Sequence, residues 1–267
     1  MKIARILDED GIERWGEPFE EGRRIREMLG VSEFKQPRRS ARVYSVGRFL
    51  PPLMPPNIFA VGRNYAAHAK ETGSAVPEQP LLFSKPTSAL LAHGEAIVLP
   101  SSAPNRVDFE AELAVIVGRT MRRVSVASAL DFVYGYSCAN DVSARDCQKH
   151  DGQWTRAKGF DTFCPLGPVL VTADDFDPSD VLLSCRLNGE QMQRASTATM
   201  VHSVAELLSY LSQQFTLLPG TVVLTGTPEG VGYARTPPRY LRDGDVVEVE
   251  IEGVGCLRNV VRGPQDD

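Results

Sequence analysis

The stretch Asp108-Phe-Glu-Ala-Glu-Leu-Ala-Val-Ile-Val-Gly118 runs through β-branched and apolar residues and closes on a glycine, so it reads as a strand. Side chains on a strand alternate between faces, which puts Glu110 and Glu112 on one face with Ala114 and Ile116. Phe109, Ala111, Leu113, Val115 and Val117 take the other. Apart from the two acids both faces are apolar, the pattern of a strand covered on both sides. Two carboxylates side by side in such a place are costly unless a cation lies between them, which points to half of a metal site. The competing reading is a partly wet sheet edge. Val246-Val-Glu-Val-Glu-Ile-Glu252 serves as an internal control. There the acids fill one whole face and Val247, Val249 and Ile251 the other, which describes a half-solvated strand with no metal implied.

Working outward, other strands are expected at Lys2–Leu7, Asn57–Gly62, Leu81–Lys85, Val169–Thr172, Leu182–Leu187 and Thr221–Thr225. Asn188-Gly189 after one of them is a type I′ turn signal. Helices are few. Ser203-Val-Ala-Glu206 is a capping box, with Val204, Leu207, Leu208 and Leu211 as the buried stripe and Pro219-Gly220 as the stop. Arg63 to Gly73 and Phe19 to Leu29 are read as two short helices ended by glycine. The βαβ rhythm of a parallel sheet is missing, so the fold class is mainly β (α+β), a strand-rich roll or barrel with short helices. The run Pro51-Pro-Leu-Met-Pro-Pro56 enforces an extended connector. It divides a small N-terminal α+β unit, residues 1–52, from a larger domain of residues 53–267.

Composition narrows the function classes. Over 267 residues the net charge is −5, which recruits neither nucleic acid nor anionic membrane. The local basic run between Glu21 and Arg48 is read as a solvated helix face and loop. Five cysteines, odd in number and without Cys-x-x-Cys spacing, disfavour a disulfide framework and a zinc ribbon and fit a reducing compartment. The first ten residues break into charge before a signal sequence forms, and no apolar run reaches membrane length. The expected location is the cytoplasm.

Asp141, after an apolar and aromatic run, is the natural third ligand beside Glu110 and Glu112, although an Asx turn or helix cap also explains an aspartate there. Three carboxylates without histidine or cysteine select a hard cation, Mg²⁺ or Mn²⁺. His68 and Glu71, three apart, suit a general-base pair, while the spacing alone equally describes a helix-surface contact. Lys158 can neutralise oxyanion charge or be simply solvated. Thr225-Gly-Thr-Pro-Glu-Gly-Val-Gly232 lacks the Gly-Lys-Ser/Thr of a nucleotide loop, and its amides and Thr227 hydroxyl suit a carboxylate.

The motifs Val61-Gly-Arg-Asn-Tyr-Ala-Ala-His68, Asp108-Phe-Glu-Ala-Glu112, Ala139-Asn-Asp-Val-Ser-Ala-Arg-Asp146, Lys158-Gly-Phe-Asp-Thr-Phe163, Asn188-Gly-Glu190 and Leu224-Thr-Gly-Thr-Pro228 together resemble the fumarylacetoacetate hydrolase family. The likeness is to its smaller acylpyruvase and oxaloacetate-decarboxylase-like branch, over roughly residues 57 to 260. His202 and Ala195-Ser-Thr-Ala-Thr199 depart from the family's usual pattern. The resemblance implies a β-roll and a Mg²⁺ or Mn²⁺ held by Glu110, Glu112 and Asp141. It also implies a His68–Glu71 pair on a lid, a pocket lined by Arg145, Gln148, Lys158 and Thr227, and a homodimer. The activity it implies is hydrolytic C–C cleavage of a small 2,4-dioxo acid through a metal-stabilised pyruvate enolate. Decarboxylation of oxaloacetate or of a related tricarboxylate, and isomerisation of a 2-hydroxy-dienedioate, are the alternatives on the same machinery. A dicarboxylate-binding sensor is the alternative without catalysis.

Overall fold

The structure is a computed structural model and describes residues 1–264. In the first fifty residues the strands are β1 (Lys2–Asp8), β2 (Glu13–Phe19), β3 (Arg24–Leu29) and β4 (Arg38–Leu50). Then come β5 (Ile58–Gly62), helix α1 (Ala66–Glu71), β6 (Leu81–Lys85), β7 (Leu90–Leu91), β8 (Ala96–Val98) and β9 (Val107–Asp108). The centre of the chain holds β10 (Ala111–Val117), β11 (Val133–Asn140), β12 (Ser143–Ala144), α2 (Arg145–Asp151), α3 (Thr155–Gly159) and β13 (Cys164–Thr172). It closes with β14 (Leu182–Leu187), β15 (Glu190–Ser196), α4 (Val204–Gln214), β16 (Val222–Leu224), β17 (Val246–Ile251) and β18 (Gly255–Arg262). The mainly β roll expected from the sequence is what forms.

Eleven strands make one sheet in the order β2-β3-β4-β1-β13-β11-β10-β16-β5-β6, with β7 added alongside β13. A five-stranded sheet, β15-β14-β17-β18-β8, packs over it. Strand β10 lies deep in this arrangement, and all seven of its residues are buried. Leu113, Val115 and Val117 join the main apolar core with Leu183, Val247 and Val249 of the smaller sheet. On the opposite face, Ala114 and Ile116 join a second core with Ile58, Ala60, Leu166 and Leu224. The period-2 pattern therefore divides one strand between two cores. In β17, as expected, Val247, Val249 and Ile251 are buried while Glu250 is exposed.

Several expected elements change shape. Phe19–Leu29 is not a helix: a 3₁₀ turn at Glu20–Gly22 leads into β3. Ile25 and Met28, three apart, imitate one helix face. On the strand they point to opposite sides, Ile25 into the main core and Met28 into a small cluster with Ile3 and Val31. The basic run around them lies on strands and a loop, with Arg39 paired to Glu17 and Arg48 to Glu95. The strand starting at Asp108 is interrupted, since Asp108 belongs to β9 and the β10 ladder begins at Ala111. Strand β13 begins at Cys164, earlier than expected. Helix α1 is limited to Ala66–Glu71, and α4 ends at Gln214, before Pro219. The capping box of α4 is complete, and the Asn188-Gly189 turn has the positive φ values, 53° and 81°, of type I′. Beyond the proline connector the first fifty residues stay continuous with the large sheet. Strand β1 pairs antiparallel with β13, Lys2 opposite Val171 and Ala4 opposite Val169. Among the described residues no helix is long and apolar enough to cross a membrane.

Candidate active site

The antiparallel register of β10 and β11 sets Ala111 opposite Asn140, so the residues just outside that pair, Glu110 and Asp141, are neighbours. Two hydrogen bonds lock this corner: Asp141 N–H donates to the Glu110 carbonyl (2.8 Å) and Glu110 N–H to Asn140 Oδ1 (3.0 Å). Glu112, two residues on, faces the same way. One oxygen from each of Glu110, Glu112 and Asp141 falls within 4.8 Å of the others, and all three residues are buried. The third ligand expected from the sequence thus stands where a shared cation would need it.

Three cations crowd this cluster. Lys158 Nζ bridges Glu110 Oε2 (2.6 Å) and Asp141 Oδ2 (2.5 Å). Lys85 Nζ holds the other Asp141 oxygen, and Arg145 Nη1 lies 2.7 Å from Glu110 Oε1. Burial works to raise the Glu110 carboxyl, but Lys158, Arg145 and His68 outweigh it and hold it below the usual range. Among the described residues Glu112 has no cationic partner and accepts from the Gly226 N–H at 2.7 Å. Burial, then the Asp141 and Glu110 charges, push its carboxyl well up. Burial opposes the charge on Lys158, yet Asp141 and Glu110 raise its ammonium above the ordinary lysine range.

A cavity of about 420 Å³ opens onto these groups and is also lined by His68, Arg145, Gln148 and Thr227. All nine residues singled out in the sequence converge on it except Glu71, which stands behind His68. His68 Nδ1 lies 2.8 Å from Glu71 Oε1, and Glu71 Oε2 accepts from Gly230 N–H (2.9 Å). A carboxylate can only accept here, which assigns the proton to Nδ1, and in the neutral ring Nε2 then holds the lone pair. Arg145 donates to Gln148 Oε1 (3.0 Å), and the Thr227 hydroxyl accepts from Gln193 Nε2 (2.7 Å).

Sequence reasoning missed four residues that build this site. Lys85 ends a strand, and a lysine in a buried register was the available signal. Asp108 accepts from Arg145 Nε (2.9 Å) and from the N–H groups of Gly232 (2.8 Å) and Tyr233 (3.1 Å), tying the 226–233 loop to the cavity. Gln193 fixes Thr227 and accepts from Ala111 N–H (2.9 Å). Trp154 forms a cavity wall with Phe83, ring centroids 5.2 Å apart. Gln193 and Trp154 gave no local signal, because their partners are remote in sequence. The departures noted at His202 and Ala195–Thr199 lie outside the cavity lining. His202 is held there through its backbone, its N–H donating to Asn64 Oδ1 (2.9 Å).

The donor set fits a hard divalent cation. All the ligand atoms are carboxylate oxygens, each with lone pairs beyond those the lysines use. Burial, and after it the Asp141 and Glu110 charges, push the Glu112 carboxyl up, and a cation among the three acids would offset both.

The family model for the C-terminal domain of fumarylacetoacetate hydrolase matches residues 57–262. An uncharacterised protein of Methanocaldococcus jannaschii is 47% identical over 199 residues, covering 74% of this chain and 80% of that protein. The mitochondrial oxaloacetate tautomerase Fahd2a of Rattus norvegicus is 44% identical over 200 residues, covering 74% of this chain and 64% of the relative. Among solved structures, the 5-carboxymethyl-2-hydroxymuconate delta-isomerase of Mycobacterium smegmatis has a TM-score of 0.87 at 42% identity, covering 98% of this chain and 100% of that one. The 2-hydroxyhepta-2,4-diene-1,7-dioate isomerase of Mycobacterium marinum has a TM-score of 0.86 at 40% identity and full coverage of both.

Proposed function

The chain belongs to the fumarylacetoacetate hydrolase family, and from that membership we propose a divalent-metal enzyme that shifts a proton on a small 2-oxo acid, interconverting keto and enol forms. The observation that carries this reading is the buried Glu110–Glu112–Asp141 cluster sharing one cavity with an oriented His68. The tautomerase and the two isomerases named above support proton transfer as the first reading, while a structure named fumarylacetoacetate hydrolase, 39% identical to this chain with a TM-score of 0.86, keeps hydrolysis as the second.

Glu110, Glu112 and Asp141 would hold the ion. When bound, Mg²⁺ or Mn²⁺ supplies a positive charge against which negative charge growing on the 2-oxo oxygen is stabilised. His68 Nε2, its Nδ1 proton held by Glu71, takes a proton from the carbon next to the 2-oxo group. The C–H pair becomes the new C=C bond, and the carbonyl π pair moves to oxygen. Return of the proton to that oxygen completes the enol with no atom gained or lost. Lys158 keeps an ammonium at the cavity floor, and Arg145, Gln148 and Thr227 bind the acid's carboxylate.

A second reading rests on the same His68–Glu71 pair. Directed at a water instead of a carbon, Nε2 would drive hydrolysis of an acylpyruvate, adding hydroxide to the distal carbonyl as the C3–C4 bond breaks. Both are tested by following enol-oxaloacetate decay and acetylpyruvate loss side by side, after EDTA and after Mg²⁺ or Mn²⁺ is restored. Metal-dependent acceleration of the first supports tautomerisation. Background decay of oxaloacetate with rapid loss of acetylpyruvate would replace it by hydrolysis. Full activity of both kinds in EDTA would remove the metal from the scheme.

A further inference from the structure

We propose that Asp108 is a positioning residue for both halves of the site: one buried carboxylate fixes the Arg145 guanidinium that receives the substrate and, through the 230–233 loop, aligns the His68 base. The inference rests on the role proposed for His68, and one arm of its test needs no turnover.

Asp108 is fully buried and lines neither the cavity nor the acidic triad. It accepts four hydrogen bonds. Oδ1 takes the N–H groups of Phe109 (2.9 Å) and Gly232 (2.8 Å), and Oδ2 takes Tyr233 N–H (3.1 Å) and Arg145 Nε (2.9 Å). A carboxylate has about four acceptor positions, so none is left over for a substrate or an ion. Its role lies in what it holds.

On one side it holds Arg145. That guanidinium lies over the Tyr233 ring, 4.4 Å from its centroid, with Nη1 2.7 Å from Glu110 Oε1. A charge-assisted bond to Nε and the stacked ring leave the planar fork one orientation at the cavity wall. On the other side it holds the loop. A Cβ at Gly232 would strike Asp108 Oδ1 and the Arg239 carbonyl, so the backbone comes as close to the carboxylate as only glycine permits. Two residues back, Gly230 has a φ of 99°, and its N–H donates to Glu71 Oε2 (2.9 Å). The other oxygen of Glu71 stands 2.8 Å from His68 Nδ1. The half-buried Arg235 clasps the same turn from outside, Nη2 donating to the Met192 carbonyl (2.7 Å) and Nε to that of Gly230 (3.4 Å). The base is thus braced by a peptide whose place is set by Asp108 and Arg235 together.

Asp108→Asn keeps the shape but turns one acceptor oxygen into a donor, which must then face an N–H group or the guanidinium. The first measurement is solvent exchange of the His68 Nδ1 proton, followed by NMR on ¹⁵N-histidine-labelled, Mg²⁺-loaded protein and assigned by its loss in His68→Ala. Exchange should be at least about 10-fold faster in Asp108→Asn, because the brace that protects the proton is loosened. The second is a kinetic cycle with Glu71→Gln, on whichever of enol-oxaloacetate or acetylpyruvate is turned over. Asp108→Asn should raise KM about 10-fold, through Arg145, in both backgrounds. It should lower kcat about 10- to 100-fold in the wild type and barely at all where Glu71 is already Gln, since the two act on His68 through one path. Arg235→Gln should show the same kcat pattern with KM unchanged, and it decides the loop's role if Asp108→Asn does not fold. Unchanged proton exchange in both variants, or kcat losses that multiply fully with Glu71→Gln, overturns the proposal. If neither acid is turned over, the proposed function falls while the proton exchange still decides what Asp108 holds.

Discussion

At the scale of single residues, the site is a balance of buried charges, and its variants should separate by which charge they strand. Lys85→Met leaves one Asp141 oxygen without its ammonium in a dry position. Breaking a buried pair in this way costs about 3–5 kcal/mol, to be read from denaturant unfolding, and a change below about 1 kcal/mol would show the contact to be dispensable. Lys158→Met strands Glu110 and Asp141 in the same way, and in addition should depress turnover by on the order of 3 kcal/mol of transition-state stabilisation if its ammonium meets developing oxyanion charge. His68→Ala should lower kcat by ~10²–10⁴-fold while keeping Mn²⁺ affinity, because it touches none of the three acids through a ligand position. Glu71→Gln should show a weaker form of the same loss. Equal loss of metal binding in His68→Ala would make that histidine part of the cation site. Glu250→Gln, on the solvated face of β17 and paired with the half-buried Arg186, should change neither property.

At the scale of elements, stability and site geometry are carried by different parts. Ser203 caps α4, its hydroxyl accepting from Glu206 N–H while the Glu206 carboxylate accepts from Ser203 N–H. Ser203→Ala should cost about 1 kcal/mol in thermal or urea unfolding and leave kcat untouched, since α4 packs away from the cavity. Strand β10 and the α4 cap were legible because their signals are local: a period of two, or a serine three residues before a glutamate. The convergence of Glu110, Glu112 and Asp141 was legible from chemistry, because buried acids need a partner. What stayed hidden depends on pairing over long separations. Gln193 reaches Thr227 and Ala111 through the fold alone, and β3 reads as a helix in the sequence because its two buried residues, three apart, serve two different cores. The interruption between β9 and β10 was equally invisible, although it is what turns Glu110 toward Asp141.

At the scale of the whole molecule, cation binding and folding should be linked. An ion that binds the native triad and not the unfolded chain stabilises by mass action, about 2.7 kcal/mol at a hundredfold excess over Kd. The melting temperature should therefore rise with added Mn²⁺ in the wild type and barely move in Glu112→Gln. A flat response in the wild type would remove the triad as a binding site. The first fifty residues bear on stability too. Ala4, Ile6 and Ile25 sit in the main core, so a chain begun at residue 53 should expose the edge of β13 and aggregate, which light scattering would reveal. A soluble, cooperatively melting product would instead make those residues an appendage. The division of β10 between two cores has a consequence for variation. With no face turned to water, the strand offers no neutral position, and a saturation scan should return an unbroken block of seven intolerant sites. Strand β17 should return an alternating record, tolerant at every second residue. The proposed ligand Glu112 is thus carried on a stretch of chain with little freedom to drift, and new specificities would have to be acquired at the cavity rim.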